Sequence, residues 1–92
     1  MISYNSIIHV NCNFISSEVD NELFLMSLEN NAYYGLEDVG KRIFEIIQKP
    51  ISFLEIVEIL LNEYDIDKET CINDLREFLL NLEKENIIKI SN

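Results

Sequence analysis

The sequence predicts an α+β domain with elements in the order β-β-β-α-α-α-β, on three observations. Apolar and polar residues alternate at period 2 through the first third of the chain. From Leu36 onward the apolar spacing changes to threes and fours, in three blocks separated by turn and cap signals. A final apolar run, "IIKI", follows the third block. With 92 residues this is one domain, residues 1–92, with no repeat, no low-complexity segment and no internal boundary.

The first strand is expected in "IIHVNCNFI", where Ile8, Val10, Cys12 and Phe14 alternate with His9, Asn11 and Asn13. "SSEVDN" reads as a polar loop. In "ELFLMSL", Phe24, Met26 and Leu28 share one face and Leu23, Leu25 and Ser27 the other, so this strand is central or partly covered. "ENN" offers asparagines that tolerate the positive φ of a tight turn. It launches "AYYGL", the edge of a three-stranded antiparallel meander. Adjacent strand residues face opposite ways. Tyr34 shares its face with Ala32 and Leu36 and is expected inside; Tyr33 shares its face with Gly35, where the missing side chain leaves room, and is expected at the surface.

The first helix is expected in "LEDVGKRIFEIIQKP", with Val39, Ile43 and Ile47 on one stripe, Leu36 and Phe44 beside it, and carboxylates in the first turn. Gly40 lets this helix approach a neighbour closely, and Pro50 stops it near Gln48 or Lys49. The second helix, "ISFLEIVEILLNEY", opens on a Ser52–Glu55 capping box with an Ile51–Ile56 staple, and Val57, Leu60, Leu61 and Tyr64 extend its apolar face. The third starts at an Asp67 N-cap and repeats Cys71, Leu75, Phe78 and Leu82, widened by Ile72 and Leu79. Asn86 suits a left-handed stop. Short helices on tight turns followed by a strand make the pattern of a winged helix-turn-helix.

Composition removes several function classes. At 48% hydrophobic and 26% charged the chain is globular. No apolar run approaches the roughly 20 residues that span a bilayer, and no basic region or cleavage site opens the chain, so the expected location is the cytoplasm, with no membrane partner. Cys12 and Cys71 lack metal-site spacing and read as two buried small residues in a reducing compartment. No cofactor and no metal are expected, and no phosphate loop or nucleophile elbow is present. His9, the single histidine, sits on a polar strand face as a plain surface residue. The set of nucleophile, base and oxyanion donor cannot be filled, so the chain is read as no enzyme.

The net charge is −10, and the first forty residues hold six carboxylates and no Lys or Arg. Nucleic-acid affinity rests on cations that neutralise phosphates. The third helix sets Lys68, Arg76 and Lys84 against Glu69, Asp74, Glu77, Glu83 and Glu85, so it would be repelled from DNA as a reading head and is a solvated face with i,i+3 and i,i+4 pairs. Solubility alone, or a neutral or basic partner, explains the charge. Peptide capture by strand addition is the remaining mode, with "AYYGL" as the open edge and the third helix beside it.

The segments "AYYGLEDVGKRIFEII", "ISFLEIVEILLNEYDID" and "CINDLREFLLNLEKENII" resemble the PqqD-like family, also called RiPP recognition elements, over about Ile7 to Ile90. The resemblance rests on Tyr33–Tyr34, on Leu36 before the first helix, on Gly40 and Phe44 within it, and on Asp74 ahead of Phe78, Leu79 and Leu82. Phe44 stands where relatives often carry Trp. The resemblance implies binding of the leader segment of a ribosomally made precursor peptide, antiparallel to the edge strand and against the third helix. The partners it implies are the precursor leader and a leader peptidase with a cyclase, as in lasso-peptide pathways. Alternatives are delivery to a radical SAM enzyme in quinone-cofactor synthesis, or a scaffold subunit that never touches the substrate. The site it implies comprises Ala32, Tyr33, Tyr34, Gly35 and Leu36 on the strand, and Cys71, Asp74, Leu75, Phe78, Leu79 and Leu82 on the helix. Cys71, Leu75, Phe78 and Leu82 share one stripe and read as core ahead of groove wall, and Asp74 either pairs with a basic leader residue or is an exposed helix carboxylate or a local partner of Arg76 or Lys84. The open edge also allows a strand-exchanged dimer besides a monomer.

Overall fold

A computed structural model of the protein describes residues 2–29 and 31–92. The chain runs β1 (Ile7–Val10), β2 (Phe14–Val19), β3 (Glu22–Ser27), β4 (Tyr33–Leu36), α1 (Asp38–Ile46), β5 (Ile51–Ser52), α2 (Phe53–Glu63), α3 (Lys68–Lys84) and β6 (Ile88–Ser91). The strands form two antiparallel sheets, ordered β5-β1-β6 and β2-β3-β4.

The expected first strand is therefore two strands in different sheets. The change of sheet occurs between Asn11 and Asn13. Asn11 N–H donates to the Ile87 carbonyl (2.9 Å) and its side-chain amide to the Asn86 carbonyl (2.6 Å), which holds it to the β6 side. The Asn13 carbonyl accepts from Leu28 N–H (3.0 Å), which holds it to the β3 side. Cys12 lies between them and is exposed, contrary to its expected burial; Cys71 is buried. "SSEV", expected as loop, belongs to β2, an outer strand whose polar residues suit a sheet edge. Asp20 and Asn21, both at positive φ (52° and 68°), make the two-residue turn into β3. The three-stranded meander stands with β2 as its first member. Asn31 has φ 58° as the turn before β4 requires, while Asn30 lies outside the described residues.

The helices start where their cap residues place them. Ser52 and Glu55 close a reciprocal capping box at α2. Asp67 Oδ2 accepts from Thr70 N–H (3.0 Å) at α3. At the end of α3, Asn86 (φ 60°) donates to the Glu83 carbonyl and Ile87 N–H to the Leu82 carbonyl, a Schellman turn that reverses the chain into β6. α1 ends at Ile46, two to three residues before its expected stop, because the chain turns at 47–49 to pair Ile51 with Ile8 in a short β5. β6 pairs with β1 from Val10↔Ile88 to Ile7↔Ser91 and builds no hairpin of its own behind α3.

One core joins both sheets to the helices. Ile8 of β1, Leu25 of β3, Ile47, Phe53, Ile56 and Val57 at α2, and Leu79 of α3 are fully buried. Arg76 lies 5.5 Å over the Phe53 ring and covers one side of that core. The expected ion pairs along α3 do not form among the described residues; pairs instead join Lys41 to Glu18 (2.5 Å), and Arg42 to Glu45 (3.6 Å) and Glu63 (2.6 Å).

Candidate functional site

β4 is the edge of its sheet. On one side it pairs with β3, in the register Leu23↔Leu36, Phe24↔Gly35, Leu25↔Tyr34 and Met26↔Tyr33. On the other side no described strand meets it. Antiparallel pairs alternate between bonded and non-bonded positions. Ser27 N–H donates to the Ala32 carbonyl (2.9 Å), so by that alternation Tyr34 and Leu36 spend their backbone groups on β3. The N–H and C=O groups of Tyr33 and Gly35 then point outward along the open edge.

The two tyrosines divide as their parity requires. Tyr33 is 70% exposed. Tyr34 is half-buried, packs on the core with Leu36, and its hydroxyl donates to Glu85 Oε2 (2.7 Å) at the end of α3. That hydrogen bond, followed by desolvation and the carboxylate's charge, pushes the Tyr34 hydroxyl above its ordinary pKa. The edge strand is thus latched to the C-terminal end of α3. The space beside Gly35, expected to be empty, holds the Glu22 carboxylate, which a Cβ at Gly35 would strike.

Beyond Leu36 the chain enters α1, and here edge and helix meet. A methyl group on Gly40 would stand 3.3 Å from Phe78 Cε1 and 3.9 Å from Leu36 Cδ2. Lack of a side chain at Gly40 brings α1, α3 and the end of β4 to one point. A recess of about 520 Å³ opens beside it, within the range of small-ligand sites. Val39, Gly40 and Ile43 form its α1 wall, and Cys71, Asp74, Leu75 and Phe78 its α3 wall. Leu60 and the α2–α3 link, Tyr64 to Ile66, close the end.

The walls are apolar apart from Asp65 and Asp74. Neither carboxylate forms an ion pair among the described residues, so Asp74 is not paired with Arg76 or Lys84. The Cys71 thiol is pushed up by burial, with Asp74 and Asp67 adding to it, which keeps it protonated and suits it to packing, not reaction. Among the described residues no group of three His, Cys, Asp or Glu could hold a metal ion, and no helix is long and apolar enough to cross a membrane.

Of the expected site residues, the structure brings Cys71, Asp74, Leu75 and Phe78 into one wall and sets Leu36 at its border. Leu79 and Leu82 are core side chains that do not line the recess. In the sequence, the α1 wall and the α2–α3 link read only as core stripe and helix end. The signal for them was Gly40 between Val39 and Ile43, a glycine in the first turn of a helix on an apolar stripe, where Val39 is 41% exposed.

One solved structure, "TbiB1 in complex with the TbiA(beta) leader peptide", is similar with a TM-score of 0.81 and 31% identity, over 88% of this chain and 94% of that one. A second, "lasso peptide synthetase B1 complexed with the leader peptide", shares the fold with a TM-score of 0.80 at 15% identity, over 89% of this chain and 96% of that one. No curated protein matches. Residues 22–88, from the start of β3 to the start of β6, match the family described as coenzyme PQQ synthesis protein D, and the chain belongs to this PqqD family.

Proposed function

We propose that the protein captures the leader segment of a ribosomally made precursor peptide by adding it as a strand to β4, and presents it to a maturation enzyme without catalysing a step itself. The observation that carries this reading is the open edge of β4 beside an apolar recess, in a chain 31% identical to a protein solved with a leader peptide. The edge alone is too weak. Tyr33 and Gly35 offer four backbone groups, at about 0.5–1.5 kcal/mol net each. Micromolar binding needs about 8 kcal/mol, and ordering a free peptide costs about 2–5 kcal/mol more. Apolar side chains of the peptide, turned toward α1 and α3 at every second position, supply the difference by filling the recess.

The lasso-peptide pathway is the reading favoured by the leader complex at 31% identity. The family description favours the alternative, delivery to a radical SAM enzyme in quinone-cofactor synthesis; capture at β4 is common to both. Either pathway places the protein in the cytoplasm. Titration of the precursor leader by calorimetry tests the reading. A proline at the leader's central contact removes an N–H from the ladder and should weaken binding at least tenfold. Unchanged affinity would rule out strand addition. Binding should also survive moderate salt, since the recess is apolar; collapse on raising salt would point to a mainly electrostatic mode.

A further inference from the structure

Gly35 does not have a positive φ, so its backbone does not require glycine. A glycine inside a strand then marks a place where another group approaches closely. Here that group is the Glu22 carboxylate. The position a Cβ would take at Gly35 lies 3.5 Å from Glu22 Cδ and 3.6 Å from Phe24 Cε1, and collides with Glu22 Oε2. Phe24 stands directly opposite Gly35, and Glu22 is diagonal to it, two residues nearer the β2–β3 turn. The carboxylate thus reaches from β3 to the place of a missing β4 side chain, beside the open edge. It is half-buried there and forms no ion pair among the described residues.

We infer that Glu22 is a specificity-determining residue for the captured peptide, which presents a Lys or Arg to it from the position opposite Gly35. The inference rests on strand capture at β4. Directly opposed residues of an antiparallel pair share a face, with Cβ atoms about 5 Å apart, and the Glu22 carboxylate stands where the Cβ of Gly35 would be. The peptide residue opposite Gly35 therefore turns away from the recess and toward this carboxylate. A lysine or arginine side chain spans the gap, whereas serine is too short. Charge selects the cation. Asp20 lies at the same end of the sheet, and Glu37, with extended backbone (φ −138°, ψ 164°), continues the parity of Tyr33 and Gly35. The first cation of the chain, Lys41, is held by Glu18, which shares the covered-face parity of Leu23 and Leu36. The cation for Glu22 comes from the peptide. Two carboxylates then read the peptide on opposite parities. Asp74 faces residues turned into the recess, and Glu22 faces one turned away, so their targets are an odd number of positions apart.

The test is a set of double-mutant cycles read by calorimetry. The probes are the synthetic leader and peptides in which each of its Lys and Arg residues in turn becomes Gln. The proteins are the wild type, Glu22→Gln, Glu22→Lys and Gly35→Ala, with thermal melts to check the fold. Glu22→Gln should weaken binding of the unmodified leader severalfold. At one basic position alone, the Gln peptide should then show no further loss. Gly35→Ala, whose methyl group displaces the carboxylate, should lose the same preference at the same position. Glu22→Lys should reverse it, binding a leader with Glu at that position better than the unmodified one. Failure of the wild type to bind leader would sink the capture reading itself. Normal leader binding with an equal loss, or none, for every peptide would overturn the role of Glu22 alone, as would tight binding of a leader that has no Lys or Arg. Coupling of Glu22 and Asp74 to one and the same leader residue would overturn the opposite parities.

Discussion

Gly40 is the residue on which the recess depends. Alanine there gains helix propensity, up to about 1 kcal/mol, but its methyl group meets Phe78 at 3.3 Å. Phe78 borders open space and can yield, so Gly40→Ala should alter unfolding free energy by less than about 1 kcal/mol. It should weaken leader binding severalfold by pushing the ring into the recess. Denaturant melts and calorimetry on one sample separate the two effects, and a destabilised variant with normal affinity would contradict this view of Phe78. Asp74 is the complementary case. It lines the recess without an ion pair among the described residues, so Asp74→Asn should lower affinity for a leader with a basic residue nearby and leave a neutral leader unaffected. At this scale the sequence was partly legible. Parity alone put Tyr34 inside and Tyr33 outside. It could not show Glu22 lying over Gly35, because that contact joins two strands through a register the sequence does not state.

At the scale of elements, caps were the most legible features, since each is a local hydrogen bond between residues three apart. Ser52→Ala removes half of the capping box of α2 and should cost about 1 kcal/mol, measured as a lower denaturant midpoint at unchanged slope. The break between β1 and β2 was not legible. Ile8, Val10 and Phe14 all pack on the core, so the period-2 signal runs through the change of sheet without losing parity, and no Gly or Pro marks it. β2 was missed for a related reason: as an outer strand it keeps polar residues and lacks a continuous apolar pattern. The recess was hidden because it forms only when α1 packs against α3 across a long sequence separation. The residues of each wall read, on their own helix, as ordinary core.

Across the whole molecule, pH acts on a few identified contacts. Glu63 is held below the usual carboxylate range, chiefly by its hydrogen bond to Arg42, and Asp67 chiefly by the Thr70 N–H. Their ionised forms are therefore favoured by folding. The stability they contribute is present above about pH 4 and lost as pH falls through their lowered values. Tyr34 has the opposite sign. Its neutral form is favoured, so its contribution holds below about pH 10 and is lost as pH rises further. Melting temperature should form a plateau between these limits. Glu63→Gln should flatten the acid limb and Tyr34→Phe the alkaline limb; a variant that leaves its own limb unchanged would show that another group controls it.

The pairing of β1 with β6 has a practical consequence for tethering. Both strands lie in the sheet that contributes nothing to the recess or to the open edge, and the Ser6 hydroxyl donates to the Asn92 side chain across them. An enzyme fused through a flexible linker after β6 would hang from that sheet. Its working concentration around a captured peptide would rise toward the millimolar range that short linkers give, while the groove stayed clear.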